Sequence, residues 1–184
     1  MQQLLLSETQ FKHTVKRLCY ELIENHQSFE DTVIVGIQPR GSFLSKLIVE
    51  ELKKILHSNQ LQSGTIDITF HRDDIHHQDQ PLLPSITEMD FNIEDKKVIL
   101  IDDVLYTGRT IRAAMDALMV FGRPSKIELL VLVDRLYSRH LPVKAYYTGK
   151  SVDTVATEKV KVEWSNENKS AQVWLMHETK EIVQ

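Results

Sequence analysis

The sequence predicts an α/β fold with a central, mainly parallel sheet flanked by helices, and three observations predict it. Residues 32–37 (TVIVGI), 98–101 (VILI) and 126–133 (KIELLVLV) are near-continuous apolar runs, as expected of strands buried on both faces. The first two lead through a short polar turn into an amphipathic, helix-spaced run, the alternation that gives right-handed crossovers and a doubly wound sheet. The most chemically distinctive residues follow directly after Ile37, Ile101 and Val133, and such sheets bind ligands beyond the carboxyl ends of their strands.

Composition bounds the answer. The 184 residues are most simply one domain, 1–184, large enough to bury a real core. The 42% hydrophobic and 26% charged fractions are those of a globular chain, and the net charge of −4 excludes a bulk nucleic-acid binder. The single cysteine, Cys19, excludes an intrachain disulfide and suggests a reducing compartment. Residues 1–10 lack the pattern of a secretory signal, and no apolar run is long enough to span a bilayer. A cytoplasmic protein with no membrane partner is expected.

Taken in order, residues 8–26 place Phe11, Val15, Leu18 and Leu22 on one helical face, and Ser7 with Gln10 forms a capping box. Lys12, His13, Lys16 and Arg17 make the rest of that helix basic, a solvated surface or a binding patch. After the strand at 32–37, Gln38-Pro39-Arg40-Gly41 interrupts the chain, and 42–56 reads as a helix with Leu44, Leu47, Ile48, Leu52 and Ile55 inward. Residues 64–70 alternate Ile66, Ile68 and Phe70 with polar residues, as a strand does. The polar connection from about 72 to 96 is too long to be an ordinary link and reads as a lid or binding loop. Its His76, His77 and Asp79, with His71, read as solvated side chains in place of a metal site. Gly122-Arg123-Pro124 ends the helix that begins near Ile111. The remainder is β-like: 145–148, 159–164 and 171–176, the last two forming a hairpin (about 159–176) around 165–168.

The central stretch is 98–110, VILIDDVLYTGRT. Two adjacent carboxylates, Asp102 and Asp103, stand at a strand end; carboxylates there accept from vicinal hydroxyls and stabilise positive charge developing on a sugar ring. Thr107-Gly108-Arg109-Thr110 then brings hydroxyls and free amides to a helix N-terminus, an anion site. Hydroxyl acceptors beside an anion site describe a pocket for a ribose 5-phosphate. Taken separately, the acidic pair is equally a metal-binding or solvated pair, and the turn an ordinary N-cap.

These thirteen residues resemble the 5-phosphoribosyl 1-diphosphate (PRPP) signature of type I phosphoribosyltransferases. With IDITFHRDD upstream, GRPSKIELLVLVDR downstream and Tyr147-x-Gly149-Lys150 near the end, the whole chain resembles the PyrR family of bifunctional pyrimidine-operon attenuators and uracil phosphoribosyltransferases. The resemblance implies the type I phosphoribosyltransferase fold, with a small β-rich hood and a mobile lid. It implies a reaction in which PRPP and uracil give UMP and pyrophosphate, in a homodimer or higher homo-oligomer. Asp102 and Asp103 would contact the ribose hydroxyls, and Val104, Leu105, Tyr106, Thr107, Gly108, Arg109 and Thr110 would wrap the 5′-phosphate. Pro39, Arg40 and Gly41 would form the pyrophosphate loop, which in the family often holds an unusual peptide. Arg72 would close over pyrophosphate from the lid, excluding water. Mg²⁺ would be held mainly by PRPP, with no dedicated protein site. Backbone groups of Val133, Asp134 and Arg135 would meet the base.

Two departures from the family pattern bear on function. Leu136-Tyr137-Ser138-Arg139-His140 replaces a glycine- and histidine-bearing segment and is one residue longer, so a phosphoribosyltransferase for another base, such as a purine, stays open. Gln38 stands where a basic residue is usual, and Asn25 and His26 make the first helix less basic. Lys12, His13, Lys16 and Arg17, aided by Lys144, Lys150, Lys159 and Lys161, would form the surface for a pyrimidine-operon mRNA leader. An attenuator with vestigial catalysis and an inactive sugar-phosphate-binding module are the remaining alternatives.

Overall fold

A computed structural model describes residues 2–73, 85–155, 157–165 and 169–177. Five strands form one parallel sheet: β2 (Thr32–Ile37), β3 (Gln62–Ile66), β4 (Lys97–Leu105), β5 (Lys126–Leu136) and β6 (Tyr147–Asp153). Their order is β3-β2-β4-β5-β6, which places the acidic-pair strand β4 in the centre. A second, antiparallel sheet of order β1-β8-β7 is made by β1 (Gln2–Leu6), β7 (Glu158–Ser165) and β8 (Ser170–His177).

The helices divide the core into two layers. α1 (Glu8–His26) and α2 (Arg40–Leu56) cover one face of the parallel sheet, and α3 (Arg109–Leu118) covers the other. Side chains alternate along a strand, so β4 sends Ile99 and Ile101 toward α1 and α2 and sends Val98 and Leu100 toward α3. All four are inaccessible to solvent. That two-sided burial is why the strand is an unbroken apolar run. α1 begins at the expected capping box: Ser7 Oγ accepts from Gln10 N, and Gln10 Oε1 accepts from Ser7 N. The antiparallel sheet packs its Val160, Val162, Val173 and Leu175 into the same layer as α1 and α2.

The elements differ from the sequence reading in several places, and α2 and α3 each start two residues early, at Arg40 and Arg109. The strand expected over 64–70 runs over 62–66 instead. Asp67 Oδ1 accepts from both N and Oγ1 of Thr69, folding the chain into a 3-10 turn at Thr69–His71 and leaving Phe70 exposed. The strand expected over 145–148 begins at Tyr147 and continues to Asp153, because an edge strand keeps polar residues such as Lys150 and Ser151 in its ladder. β4 and β5 extend beyond Ile101 and Val133, to Leu105 and Leu136. The N-terminal strand β1 was not anticipated; it pairs with β8. The hairpin arms are as expected, with Ser165 opposite Ser170, while its tip, 166–168, and residues 74–84 of the expected lid, including His76, His77 and Asp79, lie outside the described residues.

Candidate active site

β4 delivers the acidic pair to the carboxyl end of the sheet, where the two side chains take opposite sides. The Asp102 carboxylate lines a cavity of about 260 Å³ whose other walls are residues 104–111, Arg72 and Asp73. Asp103 turns toward α2, where its Oδ2 accepts from Arg40 Nε at 2.6 Å. Both carboxylates are buried. Burial of Asp102, reinforced by the Asp103 charge, pushes its pKa well above the usual aspartate range. The Asp103 N–H, which donates to Asp102 Oδ1 at 2.9 Å, and the Arg40 and Arg72 charges pull the other way. A carboxylate desolvated beside fixed cations responds strongly to any positive charge that develops in the cavity.

The turn after β4 supplies the anion side. Gly108 takes φ +91°, a left-handed conformation natural to glycine, and is the N-cap of α3. Gly108 gives the helix no side-chain cap, and the helix start lies in the cavity wall that residues 104–111 form. Thr107 Oγ1 accepts from Arg109 N at 3.4 Å. Arg109 pairs with Asp73, and Arg112 lies 4.0 Å from the same carboxylate, so the start of the long connection rests on α3.

The junction of the 38–39 loop with the first turn of α2 borders the acidic pair from the opposite side. The Gln38–Pro39 peptide is cis. Gly41 packs directly on β4: a Cβ there would stand 2.3 Å from the Ile101 carbonyl oxygen and 3.0 Å from Asp102 Cα. Only glycine allows this approach, which carries Arg40 to Asp103. A second Arg40 nitrogen donates to Val162 O at 3.2 Å, tying the loop to β7.

The third border is the end of β5. Val133, Asp134 and Arg135, expected to offer free backbone groups to a base, lie inside ladders with β4 and β6 because β5 runs to Leu136. Their side chains brace the site: Asp134 pairs with Arg139, and the Arg135 guanidinium lies over the Tyr106 ring at 3.9 Å while donating to Thr154 Oγ1 and Glu158 O. Arg139, unremarked as a functional residue in the sequence, reaches the carbonyls of Leu105, Tyr106, Arg135 and Val143. No spacing rule foretells contacts of that kind.

The basic residues of α1 divide. Lys12, His13 and Lys16 are exposed and border a cavity of about 450 Å³ shared with Lys54, Lys169, Glu50 and Glu51. Arg17 is a clasp: it pairs with Glu21 and donates to the carbonyls of Thr148 and Gly149 on β6. His26 is buried, bonded to Glu128 at 2.8 Å and Thr32 at 3.1 Å, and so belongs to the interior, not to a surface patch. Lys150 donates to Leu5 O. Among the described residues, no three His, Cys, Asp or Glu side chains converge on a metal-sized site, and no helix is long and apolar enough to cross a membrane.

Comparison with known proteins agrees with this geometry. Residues 2–166 match the family described as the phosphoribosyl transferase domain. The chain is 45% identical over 166 residues to the bifunctional protein PyrR of Mannheimia succiniciproducens, covering 88% of this chain and 91% of that one. It is 48% identical over 152 residues to its namesake in Enterococcus faecalis, covering 83% and 84%. Among solved structures, a hypoxanthine phosphoribosyltransferase from Staphylococcus aureus superposes with a TM-score of 0.64 at 21% identity, over 83% of this chain and 79% of that one. That last likeness speaks for the fold alone.

Proposed function

The chain belongs to the phosphoribosyl transferase domain family, and from that membership we propose that it transfers the 5-phosphoribosyl group of PRPP to uracil. The observation that carries the reading is the cavity at the end of β4, where a buried carboxylate and an uncapped helix N-terminus face one volume. The 5′-phosphate sits against the amides of 105–110, with the Thr107 and Thr110 hydroxyls beside them. The ribose hydroxyls then fall to Asp102, with Asp103 behind it holding Arg40.

In the reaction, the bond from ribose C1′ to the pyrophosphate oxygen breaks and its electron pair leaves with pyrophosphate. Uracil N1 forms the new bond to C1′ and its proton passes to the departing pyrophosphate or to water, yielding UMP. Positive charge grows on the sugar as the old bond breaks. Asp102 faces it from the cavity wall and is desolvated, so it stabilises that charge more than it stabilises the uncharged sugar, while Asp103 holds Arg40 beside the site. Arg40 and Arg72 receive the leaving anion: Arg40 from the Pro39–Gly41 loop, Arg72 from the lid, with Asp73 resting on Arg109. The residues suit a Mg²⁺ that arrives on PRPP, because of the two carboxylates in the cavity wall Asp73 is paired with Arg109, leaving Asp102 and space for a ligand's own oxygens. Bound there, the metal supplies charge neutralisation on the pyrophosphate. Uracil lies over the end of β5, with Val133, Asp134 and Arg135 as its floor. Incubation with PRPP, Mg²⁺ and labelled uracil tests this: UMP and pyrophosphate in equal amounts are expected, and no nucleotide from uracil overturns it.

A second activity has its own support. Relatives of this chain carry the word bifunctional in their names, and Lys12, His13 and Lys16 present one exposed basic face. We read that face as the contact for a pyrimidine-operon mRNA leader, with UMP as effector and two copies of the chain as the RNA-binding unit. A gel shift at low salt, with and without UMP, decides it: binding strengthened by UMP supports regulation, and equal or absent binding removes it.

A further inference from the structure

We propose that Arg139 is the positioning residue of the phosphate loop, holding the loop's carbonyls from behind so that its N–H groups face the anion. The assignment rests on reading 105–110 as the 5′-phosphate site. Arg139 stands outside the cavity, whose walls are 104–111 with Arg72, Asp73 and Asp102. One terminal nitrogen of its guanidinium donates to Leu105 O at 3.3 Å, to Tyr106 O and to Arg135 O at 2.9 Å. Its Nε donates to Val143 O at 3.2 Å, and its other terminal nitrogen pairs with Asp134. The same segment completes the row. His140 N and Leu141 N donate to Thr107 O at 3.0 and 3.2 Å, and Ser138 Oγ lies 3.5 Å from Tyr106 O. Every carbonyl from Leu105 to Thr107 is therefore held by residues 138–141.

The consequence follows from peptide geometry. These bonds are trans, and in a planar trans peptide the C=O of one residue and the N–H of the next point in opposite directions. Fixing the carbonyls of Leu105, Tyr106 and Thr107 on Arg139, His140 and Leu141 thus turns the N–H groups of Tyr106, Thr107 and Gly108 to the far side. The cavity lies on that side, since residues 104–111 line it and residues 138–141 do not. Arginine suits the task because its planar fork carries five donors, whereas a lysine ammonium has three on a single atom. Asp134 compensates the charge, so Arg139 acts on the anion through geometry and not through attraction across the loop. Gly108 fits the same account: a Cβ there would meet Val143 at 3.3 Å and Leu141 at 3.4 Å, so this segment packs directly against the turn.

The test is kinetic. In Arg139→Gln, KM for PRPP should rise about tenfold or more while kcat and KM for the base stay within about threefold, because a ground-state phosphate contact has been disordered. Arg139→Lys should give a smaller rise of the same kind. A PRPP KM within about twofold of wild type in a folded Arg139→Gln protein, or a loss confined to kcat, overturns the proposal. If Arg139→Gln does not fold, amide hydrogen exchange on the unaltered protein decides. Ribose 5-phosphate should protect the Tyr106, Thr107 and Gly108 amides, and unchanged exchange at all three overturns it. A wild-type protein that turns over PRPP beside an unperturbed variant rejects the role of Arg139 alone. A wild-type protein that neither binds nor turns over PRPP rejects the underlying function.

Discussion

Replacing Gly41 with alanine should separate activity from stability. The new Cβ would sit 2.3 Å from the Ile101 oxygen and 3.0 Å from Asp102 Cα. Ordinary carbon–oxygen approach is about 3.3 Å, so the chain at Gly41 must withdraw from β4 by about 1 Å. β4 is pinned on both sides by β2 and β5, so the Pro39–Gly41 loop yields and takes Arg40 with it. The 2.6 Å bond from Arg40 to Asp103 then lengthens beyond hydrogen-bonding range. Overpacking costs about 1–3 kcal/mol, and alanine in place of glycine within α2 returns about 1 kcal/mol. The net destabilisation of about 0–2 kcal/mol lowers Tm by no more than about 8 °C in a chain of this size. Activity is far more sensitive, since displacing a positioning group by about 1 Å costs on the order of 100-fold. Steady-state kcat/KM for PRPP beside a thermal melt measures both. A variant with a normal melt and kcat/KM within about threefold of wild type would refute the claim that this loop's close approach builds the site.

Three further outcomes follow from the same geometry. Asp103→Asn removes the charge that orients Arg40; losing a charge-assisted bond of about 1.5–3 kcal/mol lowers kcat/KM by about 10- to 150-fold. Normal turnover in a folded variant would reject the claim that Asp103 places Arg40 for the reaction. Asp102 is raised above the unfolded aspartate value by burial, so the native state binds more protons than the unfolded state between those two values. Its contribution to stability is complete below the unfolded value and is lost as pH rises through the folded one. Asp102→Asn should therefore melt higher than wild type near neutral pH while losing activity, and a Tm difference that does not shrink toward acid pH would contradict this. Burial, with Glu51 nearby, pushes the Cys19 thiol up to about 12. The native protein should resist alkylation near pH 8 and react once denaturant exposes Cys19; rapid native labelling, read by mass, would oppose that.

The apolar strands β2, β4 and β5 were legible in the sequence because burial on both faces forces an unbroken apolar run. α1 was legible through its capping box and periodic core face. β1 was hidden because its partner is β8, near the other end of the chain, and pairing over that distance leaves no local signal. β6 was misplaced because an edge strand tolerates Lys150 and Ser151, which local reading assigns to a loop. At the site, the acidic pair and the Thr107–Thr110 turn announced themselves by chemistry and order. The sequence left two questions open that contacts between distant elements answer. One is which carboxylate faces the cavity, and the other is what lies behind the phosphate loop. Asp103 meets Arg40 from α2, and Arg139 meets Leu105 and Tyr106 after β4. Arg17 and His26 make the same point in reverse. Arg17 reads as surface charge and His26 as a less basic helix end, yet one ties α1 to β6 and the other lies in a buried polar cluster with Glu128 and Tyr147.

The central claim is that the cavity at the end of β4 performs phosphoribosyl transfer to a pyrimidine. One competition measures it most directly: PRPP and Mg²⁺ with equal concentrations of uracil, hypoxanthine and guanine, and the nucleotide products separated and quantified. The account predicts UMP as the dominant nucleotide, with pyrophosphate released in equal amount. A mixture dominated by IMP or GMP, or one with no nucleotide at all, would contradict it.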